Sequence, residues 1–333
     1  MAALLAEAGI DAPVVTREVL GIGTAGLNAR GHRDEDGTHD RVVIDDGRSF
    51  IYREFATTSR ASQVYQAKEI AVFEALRSAG LPTPDVLASS PGDGRTRGEP
   101  ATTLLSDGGG APLETVFRNV PKKARPALWT AVGATLRHLH AVDVSAADFL
   151  NAPVYQRPWT RFLPYFLRSL KRVRTARPDL GTALDELLAL RRPLQEYLDA
   201  RPRAICFSGG GYLPGMLLER DGDGWRCTSW LSLGYYVSIN DPRRDVVAIA
   251  LSHREWTGDD VPPSFYRAYG SRPDPLCELL YETASQLGRG AAYLIPNSGA
   301  NRRGWGPPPH STAIAALDGL PRTVEALQAL LRS

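Results

Sequence analysis

Short β-rich runs dominate the first hundred residues of the chain. Two of them flank the turn Asp45-Asp46-Gly47. Strand-forming runs around such a turn predict a β-hairpin. The predicted strands are Val14–Leu20, Arg41–Ile44, Ser49–Phe55, Asp85–Ser89 and Pro100–Leu105.

Apolar residues at a period near 3.6 indicate one helix in this first part and several beyond residue 110. The first helix should end at Gly80, because Pro82 and Pro84 follow it. A β-rich insert, Ala204–Pro242, interrupts the later helices. The predicted helices are Ser62–Ser78, Pro126–Ala141, Phe162–Arg174, Thr182–Leu198, Arg243–His253, Pro275–Tyr293 and Pro321–Leu331.

The glycine-rich segment Ser106–Gly110 separates the β-rich part from the helical part. Segments of this composition are typical of boundaries between folding units. We therefore expect an α+β protein with a small β-rich N-lobe over residues 1–107. A larger, mostly helical C-lobe with a short β insert should cover residues 108–333.

Composition narrows the class of protein. A chain of 333 residues with 43% hydrophobic content can bury a large core, and a net charge of +2 does not call for a nucleic acid or an anionic membrane as partner. Cys206, Cys227 and Cys277 are odd in number and lack metal-ligand spacing, which argues against a disulfide framework. With no apolar stretch near about 20 residues and no signal peptide, we expect a soluble, cytoplasmic protein.

Over nearly its whole length the chain resembles the aminoglycoside-phosphotransferase family of small-molecule kinases. This resemblance implies the two-lobed, protein-kinase-like fold, in which a glycine-bearing loop covers nucleotide phosphates. It also implies that Arg53 is the basic residue of an N-lobe strand and Glu69 the helix carboxylate that pairs with it. The segments that carry the resemblance are Gly21–Asn28, Phe50-Ile51-Tyr52-Arg53, Ala67-Lys68-Glu69-Ile70-Ala71, Leu81-Pro82-Thr83-Pro84, Gly110-Ala111-Pro112-Leu113 and Leu136–Asp143.

The chain departs from the family in the catalytic loop. The family pattern is His-Gly-Asp-Leu-His-Pro-Gly-Asn, and the matching residues here are Gly209-Gly210-Gly211-Tyr212-Leu213-Pro214-Gly215-Met216. Counting back from the retained Asn240–Asp245 segment places Leu233 where the family has its metal-binding aspartate.

These departures bear directly on chemistry. Phosphoryl transfer needs an aspartate to orient the substrate hydroxyl, and oxygen ligands to hold Mg²⁺. Gly211, Met216 and Leu233 supply none of these groups. We therefore expect a degenerate, pseudokinase-like member with no metal ion and no cofactor.

Several residues near these positions are candidates for another role. We take Tyr212 and Arg53 as the candidate catalytic residues, because both carry donors that could stabilise an enolate. The triple glycine is either a flexible turn or a device that admits a bulky ligand, and the Arg53–Glu69 pair is either functional or a structural ion pair. The candidate substrate-binding residues are Glu69, Gly209, Gly210, Gly211, Met216, Leu233, Tyr235 and Trp305.

Divergent phosphotransferase-like proteins occur in gene clusters for modified ribosomal peptides, including thioamide-bearing ones, and the chain resembles these members. The resemblance implies a cyclase that adds a thiol or thioenol to a dehydroamino acid and closes a thioether macrocycle. Its expected partners are a peptide or small natural-product substrate and other biosynthetic enzymes. The alternatives are a scaffold that binds without reacting and a residual ATP-dependent phosphotransferase with relocated metal ligands.

Overall fold

A five-stranded antiparallel sheet with the strand order β1-β2-β3-β5-β4 forms most of the N-terminal part of the protein. The computed structural model describes residues 1–20, 38–55, 60–93, 98–155, 170–171, 173–207, 215–231, 233, 237–294 and 317–333, with the backbone alone at 60–61, 255–256 and 285–294. The strands are β1 (Val14–Val19), β2 (Thr38–Ile44), β3 (Ser49–Glu54), β4 (Val86–Ser90) and β5 (Thr102–Ser106).

Two helices accompany this sheet: α1 (Ala2–Glu7) and α2 (Arg60–Ser78). Helix α1 covers the outer face, where its Leu4 and Leu5 pack with residues such as Ile44 and Leu104. The inner face packs against α2, and Ile51 joins Val72 there in the main core. The central strands β3 and β5 thus place alternate residues in two different cores, as the period of a strand requires.

The C-terminal part is mostly helical, as the sequence predicted. A three-stranded sheet, in the order β6-β8-β9, and a two-stranded sheet of β7 and β10 lie among the helices. The strands are β6 (Ala111–Pro112), β7 (Ala204–Cys206), β8 (Met216–Asp221), β9 (Gly224–Trp230) and β10 (Ser238–Asn240). The α-helices whose bounds the structure describes are α3 (Leu113–Asn119), α4 (Arg125–Ala141), α5 (Gly181–Ala189), α6 (Arg191–Asp199), α7 (Arg243–Thr257), α8 (Pro263–Tyr269), α9 (Pro275–Leu294) and α10 (Leu320–Arg332).

The prediction of one continuous helix over Thr182–Leu198 is wrong. The chain forms α5 and α6 instead, with a break at Leu190. The reason is Pro193, which has no backbone N–H and therefore cannot continue the hydrogen-bond ladder of α5. The short helices α1, α3 and α8 were not predicted, because each is too short for a clear helical period.

The main core is continuous between the two lobes. It combines residues of the N-terminal sheet and of α2, such as Ile51 and Phe73, with Trp129 of α4 and Trp230 of β9. A second core, around residues such as Leu280, joins α5, α9 and α10. Among the helices that the structure describes, none combines the length and apolar character needed to cross a bilayer.

Helix α4 is the central element of the C-terminal part, and it approaches α8 very closely. A Cβ atom on Gly133 would lie 2.5 Å from the carbonyl oxygen of Phe265. Only glycine permits this approach without movement of the backbone. The close crossing fixes α8, and with it Tyr269, beside the end of α4.

Candidate functional site

Arg53 and Glu69 meet on the inner face of the N-terminal sheet. Arg53 lies on β3, two residues after Ile51, and therefore on the face that packs against α2. Its Nε atom is 3.4 Å from the Oε1 atom of Glu69, and both side chains are buried, with 1% and 3% exposure. The guanidinium also stacks on the ring of Phe55, 4.4 Å from its centroid. The structure thus brings together the two residues that the sequence paired.

His39 is a neighbour of Arg53 that sequence reasoning missed. The register of the sheet places His39 of β2 and Thr103 of β5 on either side of Arg53. His39 is 2% exposed. Burial, and then the charge of Arg53, lower the pKa of this imidazole well below its ordinary value. The sequence prediction missed His39 because the predicted strand began at Arg41, whereas β2 begins at Thr38.

Several buried polar atoms on this face have no hydrogen-bond partner among the described residues. Neither ring nitrogen of His39 has a hydrogen-bond partner there, and neither do Nε and Nη1 of Arg53. Buried polar groups in proteins are normally hydrogen-bonded, so a cluster of unpaired ones calls for an explanation such as a bound ligand. Arg53 is therefore able to donate to an acceptor that enters this region.

Lys68, which lies on α2, is a second buried cation. The other three lysines of the chain, Lys122, Lys123 and Lys171, are exposed, whereas Lys68 is 1% exposed. Burial lowers the pKa of its ammonium group to about 8, and Nζ has no hydrogen-bond partner among the described residues. An amine with such a pKa exchanges protons near neutral pH, which an arginine cannot do.

The glycine-rich segment after β5 is held by contacts from both lobes. Arg41 donates two hydrogen bonds to the carboxylate of Asp107, at 2.7 and 3.1 Å, and a third to the carbonyl of Gly110 at 2.8 Å. From the other side, the hydroxyl of Thr228 donates to the carbonyl of Gly109 at 2.8 Å. Gly110 has a φ of +77°, and a Cβ atom there would lie 2.8 Å from the carbonyl oxygen of Leu218. The connection is therefore fixed rather than a loose linker.

Met216 and Leu233 are both fully buried in the main apolar core. Met216 opens β8 and pairs with Trp230 of β9. Leu233 follows β9, and its carbonyl accepts a hydrogen bond from the N–H of Val237 at 3.1 Å. The two predicted ligand-binding side chains thus pack with other apolar groups.

A polar cluster lies beneath the end of β7. Asp245 of α7 accepts a hydrogen bond from the backbone N–H of Phe207 at 2.5 Å, and its Oδ2 is 3.2 Å from Nε2 of His140. The other ring nitrogen of His140, Nδ1, is 2.9 Å from the hydroxyl of Tyr269. Asp245 therefore links the start of α7 to the segment that follows Cys206.

Asp241 has a more local role. It accepts hydrogen bonds from the backbone N–H of Arg243 at 3.0 Å, from the guanidinium of the same residue, and from the hydroxyl of Tyr281 at 2.9 Å. The bond to the backbone N–H satisfies one of the free donors at the start of α7. All of these contacts support the fold.

Six of the predicted site residues lie outside the described part of the chain, so their positions stay predictions. They are Tyr212, Gly209, Gly210, Gly211, Tyr235 and Trp305.

Comparison with known sequences identifies one family. The profile described as "APH: Phosphotransferase enzyme family" matches residues 33–229, more than half of the 333-residue chain. No curated protein matches the sequence.

Solved structures share the fold at low identity. A GDP complex of a variant aminoglycoside 2'-phosphotransferase-IIIa has a TM-score of 0.61 and 17% identity, over 96% of this chain and 95% of that chain. A macrolide 2'-phosphotransferase type I has a TM-score of 0.50 and 18% identity, over 95% and 94%. An ethanolamine kinase from Plasmodium vivax has a TM-score of 0.50 and 12% identity, over 85% and 78%. At such identities the likeness establishes the kinase-like fold alone.

Proposed function

We propose a function from one premise: the chain belongs to the phosphotransferase enzyme family. Transfer of phosphate requires oxygen ligands for Mg²⁺ and a carboxylate beside the attacking hydroxyl. The resemblance assigns Gly211, Met216 and Leu233 to the positions of those groups. We therefore propose that this member does not transfer phosphate in the ordinary way, and that its inter-lobe cleft binds a peptide or another natural-product intermediate.

The burial of Met216 and Leu233 is the observation that carries this proposal. Both side chains are 0% exposed, and both belong to the core that also contains Leu217 and Trp230. A hard cation such as Mg²⁺ needs oxygen ligands, which neither side chain has. Placing a hydrated ion between them would also displace apolar contacts of the core, at a cost in stability.

The reaction we propose is closure of a thioether ring. The sulfur of a thiolate or thioenolate attacks the β-carbon of a dehydroamino acid, and the π electrons move toward the carbonyl oxygen as an enolate forms. A proton then adds to the α-carbon, so substrate and product have the same mass. A donor aimed at the developing oxyanion lowers the barrier to this step.

Arg53 is the described residue best placed to serve as that donor. Its Nε and Nη1 atoms have no hydrogen-bond partner among the described residues, and the Glu69 carboxylate orients the guanidinium from one side. We propose Tyr212 as a second donor. We propose that Glu69, Met216 and Leu233 shape the binding region, together with Gly209, Gly210, Gly211, Tyr235 and Trp305.

The test is incubation of the full-length protein with a dehydrated, decarboxylated precursor peptide. Because ring closure leaves the mass unchanged, an alkylating agent is added afterwards and mass spectrometry counts the free thiols. We expect the alkylated fraction to fall with time, and to fall more slowly with Arg53→Met, whereas the surface variant Arg192→Ala should match the native protein. Fully alkylated, linear peptide after long incubation would contradict the proposed reaction.

The same experiment distinguishes a scaffold from a cyclase. A scaffold binds the peptide with saturation, as measured by calorimetry, and leaves every thiol available to the alkylating agent.

A residual phosphotransferase is the second candidate function, because the family match and the buried Arg53–Glu69 pair both favour it. Such a protein should gain thermal stability when Mg²⁺ and ATP are added together. An unchanged melting temperature up to millimolar nucleotide would remove this candidate.

A further inference from the structure

Three potential metal ligands that are distant in the sequence converge in the C-lobe. His140 lies in the last turn of α4, Cys206 ends β7 and Asp245 lies in the first turn of α7. One ligand atom from each lies within 4.8 Å of those of the other two. Their side chains are buried, with 6% exposure for His140, 0% for Cys206 and 2% for Asp245.

The spacing of these atoms is close to that of a tetrahedral site. Bond lengths of about 2.0–2.3 Å to Zn²⁺ place neighbouring ligand atoms about 3.3–3.8 Å apart. Nε2 of His140 and Oδ2 of Asp245 are already 3.2 Å apart. Contraction of the widest separation by about 1 Å would complete the geometry.

His140 is oriented as a metal-binding histidine usually is. When Nε2 binds a metal, the proton resides on Nδ1, which then donates to an outer partner. Here Nδ1 is 2.9 Å from the hydroxyl oxygen of Tyr269, which can accept that hydrogen bond.

The cluster also has an unpaired acceptor. Oδ1 of Asp245 is buried and has no hydrogen-bond partner among the described residues. A divalent cation would balance the charge of the three ligands, because the thiolate of Cys206 and the carboxylate of Asp245 together carry two negative charges and the imidazole of His140 is neutral when it binds a metal. Burial of charged groups is favourable only when they are compensated in this way.

We infer that His140, Cys206 and Asp245 form a binding site for a single transition-metal ion, with Zn²⁺ as the best match. A thiolate, an imidazole and a carboxylate together suit Zn²⁺ and disfavour Mg²⁺, which takes oxygen ligands. The thiol loses its proton to solvent as the metal–sulfur bond forms. Three protein ligands leave a fourth position for a water molecule or another ligand.

This site is separate from the positions to which the family resemblance assigns the binding of Mg²⁺. It contains neither Met216 nor Leu233, and it does not depend on the function proposed above. The two proposals can therefore fail independently.

Titration of the metal-free, full-length protein with Co²⁺ tests the site directly. Co²⁺ takes the place of Zn²⁺ and, when bound to a thiolate, gives a sulfur-to-cobalt charge-transfer band in the near ultraviolet. We expect this band with one equivalent of Co²⁺, and we expect Cys206→Ser to remove it. Tyr269→Phe removes the outer partner of His140 and should weaken binding about tenfold.

The other two cysteines provide matched controls. Cys277→Ser changes an equally buried thiol outside the cluster, and Cys227→Ser changes a half-buried one. Both variants should keep the band. A band of equal strength in Cys206→Ser, or no band in the native protein, would overturn the site.

X-ray absorption of the zinc-loaded native protein gives an answer even if Cys206→Ser fails to fold. We expect one sulfur at about 2.3 Å and nitrogen or oxygen ligands at about 2.0–2.2 Å. A spectrum with nitrogen and oxygen ligands alone would exclude Cys206 and overturn the proposal.

Discussion

The inner face of the N-terminal sheet and the cluster beneath β7 both bury ionisable side chains, but they leave opposite kinds of atoms unpaired. Around Arg53 the unpaired atoms of the described residues include the donors Nε and Nη1 of Arg53, beside a neutral His39 whose ring has one donor and one acceptor nitrogen. In the cluster the unpaired atom is an acceptor, Oδ1 of Asp245, and a buried thiol lies beside it.

This difference shows how one fold can hold two environments of opposite polarity. A surplus of buried donors is stabilised by an acceptor or an anion, whereas a surplus of acceptors is stabilised by a donor or a cation. The main apolar core, which includes Met216 and Leu233, belongs to neither environment. Changes to each environment should therefore have separable effects.

The largest effect is expected at the buried ion pair. Glu69→Ala removes the carboxylate that pairs with Arg53 and leaves the guanidinium buried. We expect the free energy of unfolding to fall by about 3–5 kcal/mol. Guanidinium unfolding measures the change. The double replacement Arg53→Met with Glu69→Leu should recover most of the loss, because no buried charge remains. A loss below about 1 kcal/mol in the single variant would contradict the burial of this pair.

A smaller loss is expected in the C-lobe cluster. Asp245→Ala removes the acceptor for the N–H of Phe207 and for Nε2 of His140, and it should cost about 1–3 kcal/mol in the free energy of unfolding. Asp245→Asn keeps an acceptor oxygen and should cost less. If the two variants are equally destabilised in urea, the hydrogen bonds to Asp245 are not what stabilises the cluster.

His39 should make stability depend on pH. Because burial and Arg53 lower the pKa of this imidazole, the unfolded chain binds a proton below about pH 6.5 that the folded protein does not bind. The free energy of unfolding should therefore fall as the pH falls below that value, by up to about 1.4 kcal/mol per unit.

His39→Leu is the matching variant. It should flatten this dependence without abolishing it, because burial also lowers the pKa of His253. Unfolding curves at several pH values measure both slopes, and equal slopes would show that His39 titrates alike in both states.

The smallest effect is expected on the surface. Arg192 and Glu196 of α6 form an ion pair, at 2.9 Å, in which the side chains are 90% and 64% exposed. Arg192→Ala should change the free energy of unfolding by less than about 0.5 kcal/mol, and added salt should reduce the difference. A larger loss in thermal unfolding would mean that exposed pairs contribute as much as buried ones.

Local patterns in the sequence were sufficient for most elements, and the family resemblance was sufficient for the Arg53–Glu69 pair. The hairpin around Asp45-Asp46-Gly47 appears as β2 and β3, and helix α2 has the predicted end. Residues on α4 show the limit of such patterns: the side chain of His140 is buried and hydrogen-bonded, whereas His138 is exposed. The two residues lie two positions apart and so face different sides of α4.

The sequence by itself determined most of the strands and helices, because periodic burial and turn chemistry are local properties of neighbouring residues, and the family resemblance implied the two-lobed fold. It also determined that apolar residues occupy positions 216 and 233. Only the tertiary structure decided that His39 lies beside Arg53, and that His140, Cys206 and Asp245 meet. Those contacts depend on strand register and on how helices cross, and neither is encoded in the spacing of residues along the chain.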